Sequence, residues 1–86
     1  MAVPKIKKLL IANRGEIACK IIRCAKKMKI PTVAIYSDVD LNCLHTELAD
    51  EAVNIPGSLV PETYMNGHAI IKICKKYKVT AIHPGY

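Results

Sequence analysis

Tryptophan and phenylalanine are absent from this chain of 86 residues, and its four tyrosines are scattered. Nucleic-acid readers stack bases on aromatic side chains or present a recognition helix, so that class is disfavoured. Glycine is scarce too, at four residues, and the GxGxxG loop of a dinucleotide site is missing. No segment approaches the roughly 18–20 apolar residues of a membrane span. The start, Met1-Ala2-Val3-Pro4-Lys5, lacks the apolar core of a signal peptide. No nucleophile stands in a recognisable pattern with a base. Cys19, Cys24, Cys43 and Cys74 form no CxxC pair and have no histidine at zinc-site spacing, so no metal centre is expected. Reduced thiols in a cytosolic or matrix-like compartment are the simplest account. Nothing before the first apolar run resembles a transit peptide. That favours the cytoplasm, with the mitochondrial matrix as the alternative.

Acidic residues are also in short supply. Lysine plus arginine number 13 against seven aspartates and glutamates, a net charge of +6. Such an excess fits a nucleic-acid, membrane or acidic-metabolite partner. The lysines fall at helical surface positions, so solvation of outer helix faces is the favoured account.

What the chain does contain is an alternation of short apolar runs and helical patterns, organised around Lys7–Met28. Leu9-Leu10-Ile11-Ala12 is too short for a helix and suits a strand buried on both faces, within a first strand over Ile6–Ala12. Asn13-Arg14-Gly15-Glu16 breaks it. A helix from about Arg14 to Met28 follows, with Ile17, Ile21, Cys24, Ala25 and Met28 predicted on its buried face and Glu16, Lys20, Arg23 and Lys27 outside. Asn13 and Glu16 have capping-box spacing, and Glu16 with Lys20 is a favourable i,i+4 pair. Pro31 closes the unit. Thr32–Tyr36 is a β-branched second strand. Ser37–Asp40 is a polar turn, Asn42–Leu48 a short helix with Leu44 and Leu48 on one side, and Ala52–Ile55 a third strand. Asn66 is a predicted N-cap, with Met65 stapling onto Ile70. Ile70, Ile73, Cys74 and Tyr77 make the apolar stripe of that helix. Val79–Ile82 is a fourth strand.

Strands alternating with helices predict a parallel sheet with right-handed crossovers, an α/β Rossmann-like layer of about four strands. Ligands of such sheets sit beyond the carboxyl ends of the strands. The loops there are Asn13–Glu16, Ser37–Asp40, Pro56–Ser58 and His83–Tyr86. The single glycine of the first loop gives little support for a pyrophosphate site. Arg14, which capping leaves unexplained, is open to an anion or to a structural ion pair. Asp38 and Asp40 stand where a ribose-binding acid would, or form a solvated turn. His45 is expected to pack or to lie at the surface, and His68 to be exposed. In His83-Pro84-Gly85-Tyr86 proline restricts the backbone and glycine frees it, so the loop either presents Tyr86 rigidly at the ligand edge or is an ordinary turn. No helix follows to cover the fourth strand. A cut within a larger domain, with marginal stability, is therefore expected.

Several segments in register resemble a known family. They are Leu10–Ala18 (LIANRGEIA), Thr32–Asp40 (TVAIYSDVD), His45 with Leu48–Val53 (LADEAV), Glu62–Asn66 (ETYMN) and Ala81–Tyr86 (AIHPGY). Together they resemble the start of the biotin carboxylase domain of biotin-dependent carboxylases, and most of all the α subunits acting on propionyl-CoA or 3-methylcrotonyl-CoA. Ile55–Pro61 (IPGSLVP) differs from the Gly-Pro-Ala-Pro loop of many members. The resemblance implies that residues 1–86 form part of the N-terminal subdomain, of pre-ATP-grasp type, without the ATP-grasp and C-terminal subdomains. It implies a parent ligase that uses ATP, Mg²⁺ and bicarbonate to carboxylate biotin on a carrier domain, for a carboxyltransferase partner to pass to an acyl-CoA. It implies that His83, Gly85 and Tyr86 lie near biotin, that Asn13, Arg14, Gly15 and Glu16 face the same cleft, and that Arg23 and Lys27 lie at a homodimer interface. Lys27 stands where some members carry an acid. The family's ATP, metal and bicarbonate residues fall beyond Tyr86, so no catalytic residue, no metal site and no cofactor bound by this chain alone is expected. A stand-alone nucleotide-binding or dimerisation module is the alternative.

Overall fold

The computed structural model describes residues 6–84. Four strands, β1 (Leu9–Ala12), β2 (Thr32–Tyr36), β3 (Glu51–Asn54) and β4 (Ala81–Pro84), form one parallel sheet in the order β3-β2-β1-β4. The helices are α1 (Gly15–Lys27), α2 (Leu44–Leu48) and α3 (Gly67–Lys76). β1 and β2 are central and apolar on both faces, as strands covered on two sides must be. Leu10, Val33 and Ile35 pack with Ile70 and Ile73 of α3 on one face. Ile11 packs with Ala18 and Ile22 of α1 on the other. This is the expected three-layer α/β architecture.

α1 is turned from its expected seating. Ala18, Cys19, Ile22 and Ala25 are buried, whereas Ile17 is 61% exposed and Met28 is exposed as well. At 100° per residue, Cys19 lies on one flank of the buried line and Ile17, Ile21, Cys24 and Met28 lie on the other. The apolar arc of α1 is wider than the surface it meets. α2 packs alongside α1, and the small Ala18 and Ala25 let the helix approach the sheet. Ile21 is in partial contact with the core, and the rest of its flank is left in solvent.

The capping box at Asn13 does not form. The N-cap is Arg14, with no side-chain capping bond, because Gly15 turns the chain with a φ of +64° and the helix begins one residue later than the spacing implied. That φ requires glycine; a side chain there would meet no neighbour within 4 Å. Glu16 points away and sits 3.9 Å from Lys20, the expected i,i+4 pair. At α3 the Asn66 cap is present, its side-chain oxygen accepting from the Ala69 N–H at 3.1 Å. Met65 is largely exposed and covers little of Ile70. Replacing Asn66 with alanine is expected to cost about 1 kcal/mol, read as a lower urea midpoint.

β4 begins two residues later than its β-branched run suggested. The Val79 N–H closes α3 onto the Cys74 carbonyl, 2.9 Å away, and the Thr80 N–H reaches Lys8. Pairing with β1 then extends to Pro84, which an edge strand accepts because no N–H is needed there. Ile82 is exposed on the α3 face. β3 shifts one residue earlier, and the Ile55 N–H still reaches Tyr36 O at 2.9 Å.

Candidate functional site

The parallel arrangement gathers the loops after β1, β2 and β3 along one edge, and a buried carboxylate joins them. Asp40 lies at the end of a single 3₁₀ turn, Asp38–Asp40, with its side chain 3% exposed. Four groups meet it. Arg14 Nη2 is 2.8 Å from Oδ1, the Tyr64 hydroxyl donates to Oδ2 at 2.6 Å, the Ser37 hydroxyl donates to Oδ2 at 3.0 Å, and Cys43 Sγ is 3.6 Å from Oδ1. The Ser37 N–H donates to the tyrosine oxygen at 3.2 Å. The Arg14 guanidinium also lies 5.8 Å from the centre of the Tyr64 ring. Of the two roles open to Arg14, the ion pair is the one made.

Burial alone pushes the Asp40 carboxyl upward; the Tyr64 and Ser37 hydroxyls and the Arg14 charge outweigh it and hold the group below the ordinary carboxylate value. Tyr64 is pushed up to about 12, first by burial and then by its bond to Asp40. Burial, then the neighbouring Asp40 charge, raises the Cys43 thiol. These groups are held in unreactive forms: an ionised acid, a neutral phenol and a protonated thiol. The arrangement is a clamp. It ties the β1 turn to the β2 loop and to the segment leading into α3.

Asp38 has a separate task. Its oxygens accept from the Gly57 N–H at 3.0 Å and from Asn54 Nδ2 at 3.1 Å, and these bonds lower its pKa. It pins the loop after β3 to the loop after β2. His45 is fully buried, and its Nε2 donates to the Ile35 carbonyl at 3.1 Å, so it fastens α2 to β2. Leu44, beside it, is exposed, and the helix begins there rather than at Asn42. His68 is exposed.

Asn13 is 3% exposed, and its Nδ2 has no hydrogen-bond partner among the described residues. Gly15 and Glu16 line a groove of about 350 Å³ with Cys19, Arg23 and Cys43. Arg23 and Lys27 are exposed on α1. His83 is exposed on β4, opposite Ile11 in the β1 register. Gly85 and Tyr86 lie outside the described residues. Among the described residues no three His, Cys, Asp or Glu side chains are grouped to hold a metal ion, and no helix is long and apolar enough to cross a membrane. The four cysteines are unpaired. Tyr64 is legible in the sequence only as part of Glu62–Asn66, with no role of its own, because a lone tyrosine between a threonine and a methionine gives no sign of its partner 24 positions away.

Residues 5–86 match the family described as biotin carboxylase, N-terminal domain. The human mitochondrial propionyl-CoA carboxylase alpha chain is 52% identical over 92% of this chain, and the rice mitochondrial methylcrotonoyl-CoA carboxylase subunit alpha is 48% identical over 94%. This chain spans about 11% of the length of each. A solved structure of the Hydrogenobacter thermophilus 2-oxoglutarate carboxylase biotin carboxylase domain dimer, in complex with MgADP, ADP and bicarbonate, superimposes with a TM-score of 0.88 at 42% identity, covering 98% of this chain and 18% of that one. The chain belongs to the biotin carboxylase N-terminal domain family.

Proposed function

We propose that this chain supplies the first layer of a biotin carboxylase, in an enzyme that uses ATP and bicarbonate to carboxylate carrier-linked biotin for transfer to an acyl-CoA. The observation that carries the reading is the match of sheet, crossovers and edge loops together to a biotin carboxylase domain. The identity to acyl-CoA carboxylase α subunits supports that acceptor class, and their mitochondrial setting favours the matrix over the cytoplasm.

In this reading the chain orients and does not react. The Arg14–Asp40–Tyr64 clamp sets the shape of the edge where Asn13, Gly15 and Glu16 face the cleft. His83, Gly85 and Tyr86 are proposed to lie near biotin, as the family resemblance implies. Arg23 and Lys27 face a second copy. The remaining partners are the rest of the biotin carboxylase domain, the carrier domain and the carboxyltransferase. In the resembled family the residues for the nucleotide and Mg²⁺ lie outside the stretch matched here, so neither is assigned to residues of this chain.

Two measurements on the purified chain test this. ATP- and bicarbonate-dependent carboxylation of free biotin is expected to be absent, and calorimetric titration with ATP, NAD or AMP is expected to give no heat of binding. Turnover of free biotin would place the chemistry in this layer. Micromolar binding of a nucleotide would favour a stand-alone nucleotide-binding module.

A further inference from the structure

The opposite edge of the sheet carries the surplus of positive charge. Both long helices end there, and both end the same way. At α1 the Lys29 N–H donates to the Lys26 carbonyl at 3.0 Å and the Ile30 N–H to Ala25 at 2.9 Å, which is a Schellman closure. α3 closes in kind, with the Val79 N–H on the Cys74 carbonyl at 2.9 Å. The residue that such a closure puts in the left-handed region is usually glycine. Here it is lysine at both ends: Lys29 and Lys78 each have a φ of +58°. A side chain at such a φ is strained relative to its preferred backbone. A cation near a helix carboxyl end offsets part of that strain.

Beside Lys29 the surface is hollow. A groove of about 620 Å³ is lined by Ile6, Lys7, Met28, Lys29, Ile30 and Pro31. A smaller hollow continues from the same Lys29-Ile30-Pro31 stretch to Lys26 and Asp50. The floor is apolar, with Ile6 and Met28 exposed, and the rim is lysine. Asp50 is the acid in this hollow, and its Oδ2 is already engaged by the Thr32 N–H at 2.8 Å and the Thr32 hydroxyl at 3.2 Å. Nucleic acid would want aromatic surfaces to stack on, and the floor has none. A bilayer would want a broad apolar face, and this groove is narrow and bounded by charge.

We propose that this groove docks an acidic polypeptide segment carrying a leucine-like anchor, with the anchor on Met28 and Ile30 and its carboxylates on Lys29 and the neighbouring rim lysines.

The test is fluorescence anisotropy of the full chain with a short labelled peptide of glutamates and leucines, at physiological salt. Saturable binding is expected. Lys29→Gly should weaken it about twofold to fivefold, as loss of an exposed charge pair does, while raising the melting temperature because the strain is relieved. Lys29→Arg should keep the binding, and Lys20→Gln, on the outer face of α1, should leave it unchanged. Equal binding by Lys29→Gly would overturn the proposal. So would equal binding of a peptide with serines in place of leucines, or tighter binding of single-stranded DNA or phosphatidylglycerol vesicles.

Discussion

Asp40→Ala is expected to remove about 2–4 kcal/mol of stability, because it strands two buried hydroxyl donors at about 1–3 kcal/mol each. The hydroxyls are those of Ser37 and Tyr64. Arg14 loses its partner too, but its side chain is 42% exposed and water takes over much of that role. For a domain of this size, whose whole stability is of order 5–10 kcal/mol, that is a large fraction. Tyr64→Phe should cost about 1–3 kcal/mol: Asp40 keeps Ser37 and Arg14, but the buried Ser37 N–H loses its acceptor. Urea unfolding followed by circular dichroism gives the ranking. An Asp40→Ala midpoint equal to wild type would mean that the clamp holds nothing.

The same clamp gives stability a pH dependence on both sides. The folded Asp40 carboxyl is held below its usual value. Its contribution is therefore complete above the unfolded pKa of about 3.9 and is lost as pH falls through the lower folded value. Tyr64 is raised from 10.0 to about 12. Its contribution is complete below the usual tyrosine pKa and is lost as pH climbs from there to the folded value. Urea midpoints collected across pH should fall off at both ends for the wild type. Asp40→Ala should flatten the acid limb.

The second large effect separates the two seatings of α1. Ile22→Ala should cost about 2–5 kcal/mol, as removal of a fully enclosed isoleucine does. Ile22 has no exposed surface. Ile17→Ser, five residues earlier on the solvent flank, should change stability by no more than about 0.5 kcal/mol. The apolar period of the sequence alone predicts a heavy loss at Ile17. Equal losses at the two sites would mean that the flank of Ile17 is covered after all.

Why the period misled here, and served elsewhere, is a matter of what each signal encodes. Thr32–Tyr36 was readable as a strand to the residue, because β-branched residues bounded by Pro31 and a polar turn leave one solution. The parallel layer followed from the alternation of such runs with helices. Asn66 announced its helix through a local bond, and local bonds are written in local sequence. α1 carries more apolar surface than its layer can bury, so periodicity defined an arc and left the contact line open. That line was set by the small Ala18 and Ala25 and by α2. Asn13 and Glu16 had the spacing of a cap, but the left-handed Gly15 moved the helix start and left Asn13 buried.

The site divides in the same way. Its loops were legible from topology, because parallel strands put their carboxyl ends together. Its chemistry was not, because Asp40 acquires its role from Tyr64, which is remote in sequence. Arg14 could be narrowed to an anion or an ion pair, and only the folded chain chose between them. His45 could pack or lie at the surface, and the folded chain chose the first, burying it as a tether for α2.

The most direct measurement is complementation. The purified chain is added to a propionyl-CoA carboxylase α chain lacking its own corresponding N-terminal residues, and ATP- and bicarbonate-dependent carboxylation of biotin is followed. Carboxylation that appears only when both parts are present, and that is lost with Asp40→Ala, is the predicted result. A folded wild-type chain that restores no activity at saturating concentration would contradict the assignment.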